Sequence, residues 1–214
     1  MLNNYYIQRD LKGLGYYKGE IDEIIGSQSK QAIKNFQQDF SNYLSVDGIY
    51  GNETDKMLKH IVKECQAILG ATQDGMWGND TESKYQALNN IKHFNRSEFK
   101  CKCGCGANRI DIRLVKILDD IRDYYGKPLI ITSAVRCPKH NKAIGGTSNS
   151  WHIGGTDTSE GHHNKACDFY VQGIKVTELL NHCIDLRNQG KIRYTYTNNT
   201  SMSGVVHIDI GGIK

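Results

Sequence analysis

The stretch SWHIGGTDTSEGHHNKACDF, Ser150 to Phe169, holds three histidines and three acids (Asp157, Glu160 and Asp168) among small residues, and it opens onto an apolar run, Ala166 to Val171. Two readings compete for it. It is a metal site split by an inserted loop, or a solvated loop that happens to carry histidines. If it holds a metal, His152, His162 and His163 are rival ligands. Asp168 is the firmest clue, because "ACDFYV" reads as a strand and a carboxylate between apolar neighbours needs a partner.

That partner has a candidate near the end of the chain. In "GVVHIDI", Gly204 to Ile210, His207 and Asp209 stand two apart. On a strand both point to one face with Val205, while Val206 and Ile208 point to the other. Neighbouring strands could bring His207 to Asp168, and a divalent metal would satisfy both. A catalytic zinc takes three protein ligands and keeps one position open. His152, just upstream of the strand that carries Asp168, can supply the third. A buried His207–Asp168 hydrogen bond without metal is the competing account.

The surrounding segments suggest how these strands are framed. Asp111 opens a helix with Leu114, Leu118, Ile121 and Tyr125 on one face; Gly126 ends it and Pro128 prevents its continuation. "LIITSAV" reads as a buried strand, Thr177 to Gly190 as a helix, and "IRYTYT" as a further strand. Helices interspersed with short strands, without regular βαβ spacing, indicate an α+β fold with a mainly antiparallel sheet. The polar, turn-like "NNIKHFNRSEFKCKCGCGANR" places a boundary near residue 94, giving domains of residues 1–93 and 94–214.

Composition is that of an ordinary soluble protein, with 38% hydrophobic and 23% charged residues in 214. No apolar stretch reaches the length of a membrane span, and no signal peptide follows Met1. The chain is therefore expected to be made in the cytoplasm and to act elsewhere only after release. Residues 1–94 carry 10 Lys+Arg against 12 Asp+Glu, and residues 95–214 carry 17 against 11. The basic second part suits an anionic partner, although so small an excess also serves plain solubility. Seven cysteines in a cytoplasmic product argue against an obligatory disulfide framework. Cys101, Cys103 and Cys105 in "CKCGCG" could join Cys137 in a second, structural zinc site. C-x-C-x-C is not a standard zinc spacing, so reduced packing thiols are the competing account.

The first ninety residues are a repeat. "DEIIGSQS" (Asp22–Ser29), "DGIYGNET" (Asp47–Thr54) and "DGMWGNDT" (Asp74–Thr81) share D-[GE]-x-[IYW]-G-x-x-[ST], recurring at 25 and then 27 residues. The Asp can close an Asx-turn, the Gly can supply a positive φ, and the Ser/Thr can cap a helix. Helical periodicity follows each motif, so this part is a small all-α bundle of turn-plus-helix units. Tyr50 and Trp77 are either core aromatics or ligand contacts.

Two resemblances follow from these motifs. "IQRDLKGLGYYKGEIDEIIGSQSKQAIKNFQQDF" resembles the helical peptidoglycan-binding domain attached to many cell-wall hydrolases, with the third copy truncated. "ITSAVRCPKHNKAIGGTSNSWH", "KACDFYV" and "VVHIDI" together resemble the zinc D-alanyl-D-alanine carboxypeptidase and endopeptidase family, whose fold is shared with the hedgehog signalling domain. That family's motif is S-x-H-x-x-G-x-A-x-D, followed by a histidine on a terminal strand. Ser150, His152, Ala166 and Asp168 match it, and His207 supplies the last position. The family places His and Asp seven apart, whereas His152 and Asp168 are 16 apart, and Asn164 stands where the motif has Gly. Seven residues before Asp168 is Gly161, which cannot ligate. The extra residues therefore lie within "IGGTDTSEGHHN", favouring His152 over His162 and His163.

The resemblance implies a zinc ion held by His152, Asp168 and His207, with Arg136 serving a peptide carboxylate or oxyanion. Relatives carry an acid or histidine two or three residues before the last ligand. Val205 and Gly204 occupy those places, which leaves Asp209 as the expected general base or, failing that, a partner of a ligand. The expected protein is a monomeric, endolysin-like metallopeptidase acting on peptidoglycan stem peptides as carboxypeptidase or endopeptidase, released at phage lysis or otherwise exported. A non-catalytic wall binder with an inactive peptidase fold is the alternative. "GHHNKACD" superficially suggests a His-Asn nuclease, but such a site needs a further ligand that only His182 could supply, so nucleic acid is not an expected partner.

Overall fold

The computed structural model describes residues 3–154, 164–197 and 204–211. They fall into two compact units, one through Ile91 and one from Lys92 onward. Among the described residues no helix is long and apolar enough to cross a membrane.

The first unit is all-helical: α1 (Asn4–Gly13), α2 (Ser27–Asp39), α3 (Asn52–Leu69) and α4 (Asn79–Ala87). Ile7, Leu11, Ile33, Phe36, Leu58 and Ile61 form its core, each 5% exposed or less. The Asx-turns form as expected. The Oδ1 atoms of Asp22, Asp47 and Asp74 accept the N–H two residues on, at 3.0, 2.8 and 2.9 Å.

The rest of the motif works differently from its expected roles. Gly26, Gly51 and Gly78 are themselves the N-caps and have extended backbones. The left-handed position is the second residue of each motif: Glu23, Gly48 and Gly75, with φ of 62°, 77° and 78°. Ser29, Thr54 and Thr81 are buried in the first helical turns. Each instead accepts a hydrogen bond from a buried glutamine on the preceding helix. Gln37 Nε2 reaches Asp47 Oδ1 (2.9 Å), the Ile49 carbonyl (3.0 Å) and Thr54 Oγ1 (3.2 Å), while its Oε1 accepts the Gly48 N–H (2.8 Å). Gln8 and Gln66 grip the first and third motifs in the same way. One amide thus satisfies a whole turn, and a hydrophobic residue of that length could not. Trp77 is 4% exposed and packs on Tyr85, a core aromatic, while Tyr50 is half-buried with its hydroxyl on Asp55.

The second unit is α+β, with a four-stranded, wholly antiparallel sheet in the order β1 (Leu129–Ser133), β2 (Ala166–Val171), β4 (Val206–Asp209), β3 (Tyr194–Thr197). The helices α5 (Ile112–Tyr125) and α7 (Val176–Asn188) pack against it, and the short α6 (Pro138–Ala143) follows β1. Asp111 caps α5 by accepting the Arg113 N–H at 3.0 Å, and Gly126 ends it in a left-handed turn with φ 59°. Phe169, Val206 and Ile208 are fully buried. Both faces of β4 are covered, so His207 and Asp209 are enclosed as well. "LIITSAV" is a strand only as far as Ser133, and its register slips between Ile131 and Ser133.

Candidate functional site

The sheet register sets Asp168 directly opposite His207. His152 arrives from outside the sheet. The Arg136 N–H donates to the His152 carbonyl and the Gly154 N–H to the Arg136 carbonyl, both at 2.8 Å, in a short parallel bridge. This lays His152 beside the chain leaving β1. Its Nδ1 hydrogen-bonds the Ala134 carbonyl at 2.7 Å, leaving Nε2 toward the other two residues. His152 Nε2 lies 3.3 Å from both His207 Nδ1 and Asp168 Oδ1, and the last two are 2.6 Å apart. All three side chains are buried.

Electrostatics favour a cation here. Burial lowers the His152 pKa and outweighs the attraction of Asp168, which favours the uncharged imidazole that a metal ligand must be. Burial alone would raise the pKa of Asp168, but the two neighbouring histidines hold it well below the carboxylate range. Burial likewise opposes charge on His207, yet Asp168 and Asp209 raise its pKa. The three donor atoms fit a metal. Zinc bonds of about 2.0–2.1 Å at tetrahedral angles separate donors by about 3.3 Å. Two of the three edges already have that length, and the third needs only the His207–Asp168 hydrogen bond to open. The second nitrogens complete the fit, with His152 Nδ1 on a carbonyl and His207 Nε2 3.6 Å from Asp209 Oδ2.

Arg136 donates from Nη2 to Asp168 Oδ2 at 2.7 Å and from Nε to Ser133 Oγ at 2.8 Å. It therefore braces a candidate ligand while lining the cleft above the site. That cleft has a volume of about 600 Å3, and Asp168 and His207 lie on its wall with Lys102, His140 and Tyr196. Asp209 is not on that wall, contrary to what a general base requires. It is 1% exposed, sits behind His207, and is gripped by Arg193. His182 lies against Tyr124 and Tyr125, with ring centroids 4.3 and 5.5 Å away, so it completes no nuclease site. His162 and His163 lie outside the described residues.

Tyr196, Lys102 and His140 were not foreseen. Tyr196 is paired with His207 across β3 and β4, and its ring stacks on the imidazole at 4.7 Å. Only the strand register reveals that contact. Asn164 explains its own departure from Gly. Its φ is 53°, a left-handed conformation that Asn tolerates better than most residues. A side chain at Gly154 would collide with it.

A family model described as peptidase M15 matches residues 92–209, which include Arg136, His152, Asp168, His207 and Asp209. The chain belongs to the peptidase M15 family. A peptidoglycan binding domain model matches residues 5–58, covering the first two glutamine-clasped turns. No curated protein matches the chain. The protein thus joins an M15 peptidase domain to a peptidoglycan-binding domain. The third clasped turn of the helical unit lies beyond the matched segment and repeats its hydrogen bonds.

Proposed function

We propose that this M15 protein is a zinc-dependent peptidoglycan hydrolase that cleaves peptide bonds in cell-wall stem peptides. His152, Asp168 and His207 would hold the ion. The observation that carries the reading is the convergence of their three buried donor atoms, all within 4.8 Å of one another, beneath an open cleft. Zinc, when bound, would polarise the scissile carbonyl and lower the pKa of a water to about 7.

The chain's own residues supply the rest. Arg136, fixed by Asp168 and Ser133, presents its remaining guanidinium N–H groups to a peptide carboxylate or to the oxyanion that develops in the transition state. Lys102 adds positive charge to the same cleft, which suits the carboxylates of stem peptides. Tyr196 covers one face of His207 and narrows the approach to it. Asp209 acts as a positioning residue, orienting His207 rather than accepting the water proton. His140 is the histidine on the cleft wall that is free of the three-ligand set, and it takes over as the candidate base.

The helical domain holds the enzyme on its insoluble substrate, so the protein acts at the wall after lysis or export. Mass spectrometry of muropeptides from digested wall tests the proposal. Release of new peptide termini that stops on chelation and returns with zinc is expected. Wall binding with no released peptide would favour the inactive, binding-only alternative.

A further inference from the structure

A second cluster of metal-binding side chains lies on the segments that build the cleft wall. The Sγ atoms of Cys101, Cys103, Cys105 and Cys137 all lie within 4.8 Å of one another. We propose that these four cysteines form a tetrathiolate site that takes zinc as a structural ion, separate from the histidine site.

Geometry supports this over the alternatives. Cys101 and Cys103 Sγ are 3.4 Å apart, and Cys103 and Cys137 Sγ 3.5 Å. A zinc–sulfur bond of about 2.3 Å implies tetrahedral edges of about 3.8 Å. A disulfide requires about 2.05 Å. Packing cannot explain the cluster either, because Cys103 and Cys105 are exposed.

The unusual C-x-C-x-C spacing works because the chain does not stay extended. Gly104 and Gly106 adopt φ of 80° and 79°. The Cys101 N–H closes the turn on the Ala107 carbonyl at 2.8 Å. Two of the sulfurs also receive N–H donors, hydrogen bonds of the kind that orient metal ligands. Cys137 N–H points to Cys101 Sγ and His140 N–H to Cys137 Sγ, both at 3.3 Å.

Such an ion would tie together two stretches 34 residues apart in sequence. Each carries part of the cleft: Lys102 sits between two of the cysteines, and Arg136 and His140 flank Cys137. The ion therefore fixes the wall that receives substrate, and its loss should lower kcat/KM.

Protein produced under reducing conditions in cobalt-supplemented minimal medium tests the site without reference to activity. The expected result is two metal ions per chain and a strong near-ultraviolet sulfur-to-cobalt charge-transfer band. A histidine–carboxylate site cannot give that band. Cys103→Ser/Cys105→Ser should lose the band and one equivalent of metal, whereas His152→Ala should lose one equivalent and keep the band. Absence of the band from the wild-type protein overturns the proposal, whatever the variants do. So does a mass deficit of two hydrogens per bond from disulfides among these cysteines. A missing histidine-site equivalent with the band intact would count against the proposed function and not against this site.

Discussion

Asp209 and Arg193 hold each other at two points, with Oδ1 2.6 Å from Nε and Oδ2 2.8 Å from Nη2. Arg193 lies in turn over the Trp151 ring, 4.9 Å from its centroid, and its backbone N–H donates to the Asp209 carbonyl at 2.8 Å. The residue just before His152 and the carboxylate beside His207 are thereby joined through one guanidinium. Asp209→Asn should weaken zinc affinity by about 10–100-fold, and added zinc should restore most turnover. A turnover loss of about 100-fold or more with full zinc content would instead restore the base assignment.

Removing His152 should cost one equivalent of bound zinc and abolish peptide release, because two ligands without the third leave a weak site. His163→Ala should keep both. Metal analysis of the two purified proteins decides the matter, and the opposite pattern would move the ligand into the inserted segment.

Residues 1–93 are predicted to bind insoluble peptidoglycan without cutting it, and residues 95–214 to cut with lower efficiency. A pull-down at low salt measures the first half. An N-terminal fragment that is folded by circular dichroism yet stays in the supernatant would refute the wall-targeting role.

The glutamine clasp makes a stability prediction. Gln37 is 2% exposed and serves donors and acceptors on both sides of its amide. Gln37→Ala should cost about 3 kcal/mol, since buried polar groups of the turn lose their partner. Urea unfolding checks it, and a change below about 0.5 kcal/mol would mean that water replaces the amide at little cost.

Asp111 gives a prediction with a pH window. Burial would raise its pKa, but the charge and hydrogen bonds of Arg113, aided by Lys165, leave it lowered from 3.8. The folded state therefore holds this proton less tightly than the unfolded one. Its stabilisation is complete above 3.8 and is lost as pH falls through the depressed folded value. Asp111→Ala should cost about 1–2 kcal/mol at neutral pH, through the lost cap of α5. The difference from wild type should shrink in acid. Thermal melts across pH would reveal a constant difference if the ion pair contributes nothing.

Much of this was legible in the residues themselves. Asp168 and His207 each stood out as polar groups inside apolar strands, and that mismatch pointed at the site before any register was known. The Asx-turns were equally plain, because an aspartate and the N–H it captures are two residues apart. What escaped depended on contacts between distant segments. Gln8, Gln37 and Gln66 look like ordinary helical polar residues until the following turn folds back onto them. Tyr196 acquires its meaning only when β3 takes its register beside β4. Asp209 could not be placed from its spacing, because two residues on one strand face share a direction but not a compartment: His207 lines the cleft and Asp209 does not.

The neck of the segment between the first two candidate ligands is closed by hydrogen bonds from the Asn164 N–H to the Ile153 carbonyl, 3.3 Å, and from the Lys165 N–H to the Trp151 carbonyl, 2.9 Å. Neither bond involves anything between those anchors. The flanking backbone alone thus pins the two ends from which His152 and Asp168 project, so that their spacing in space is set by the neck and not by their spacing in sequence.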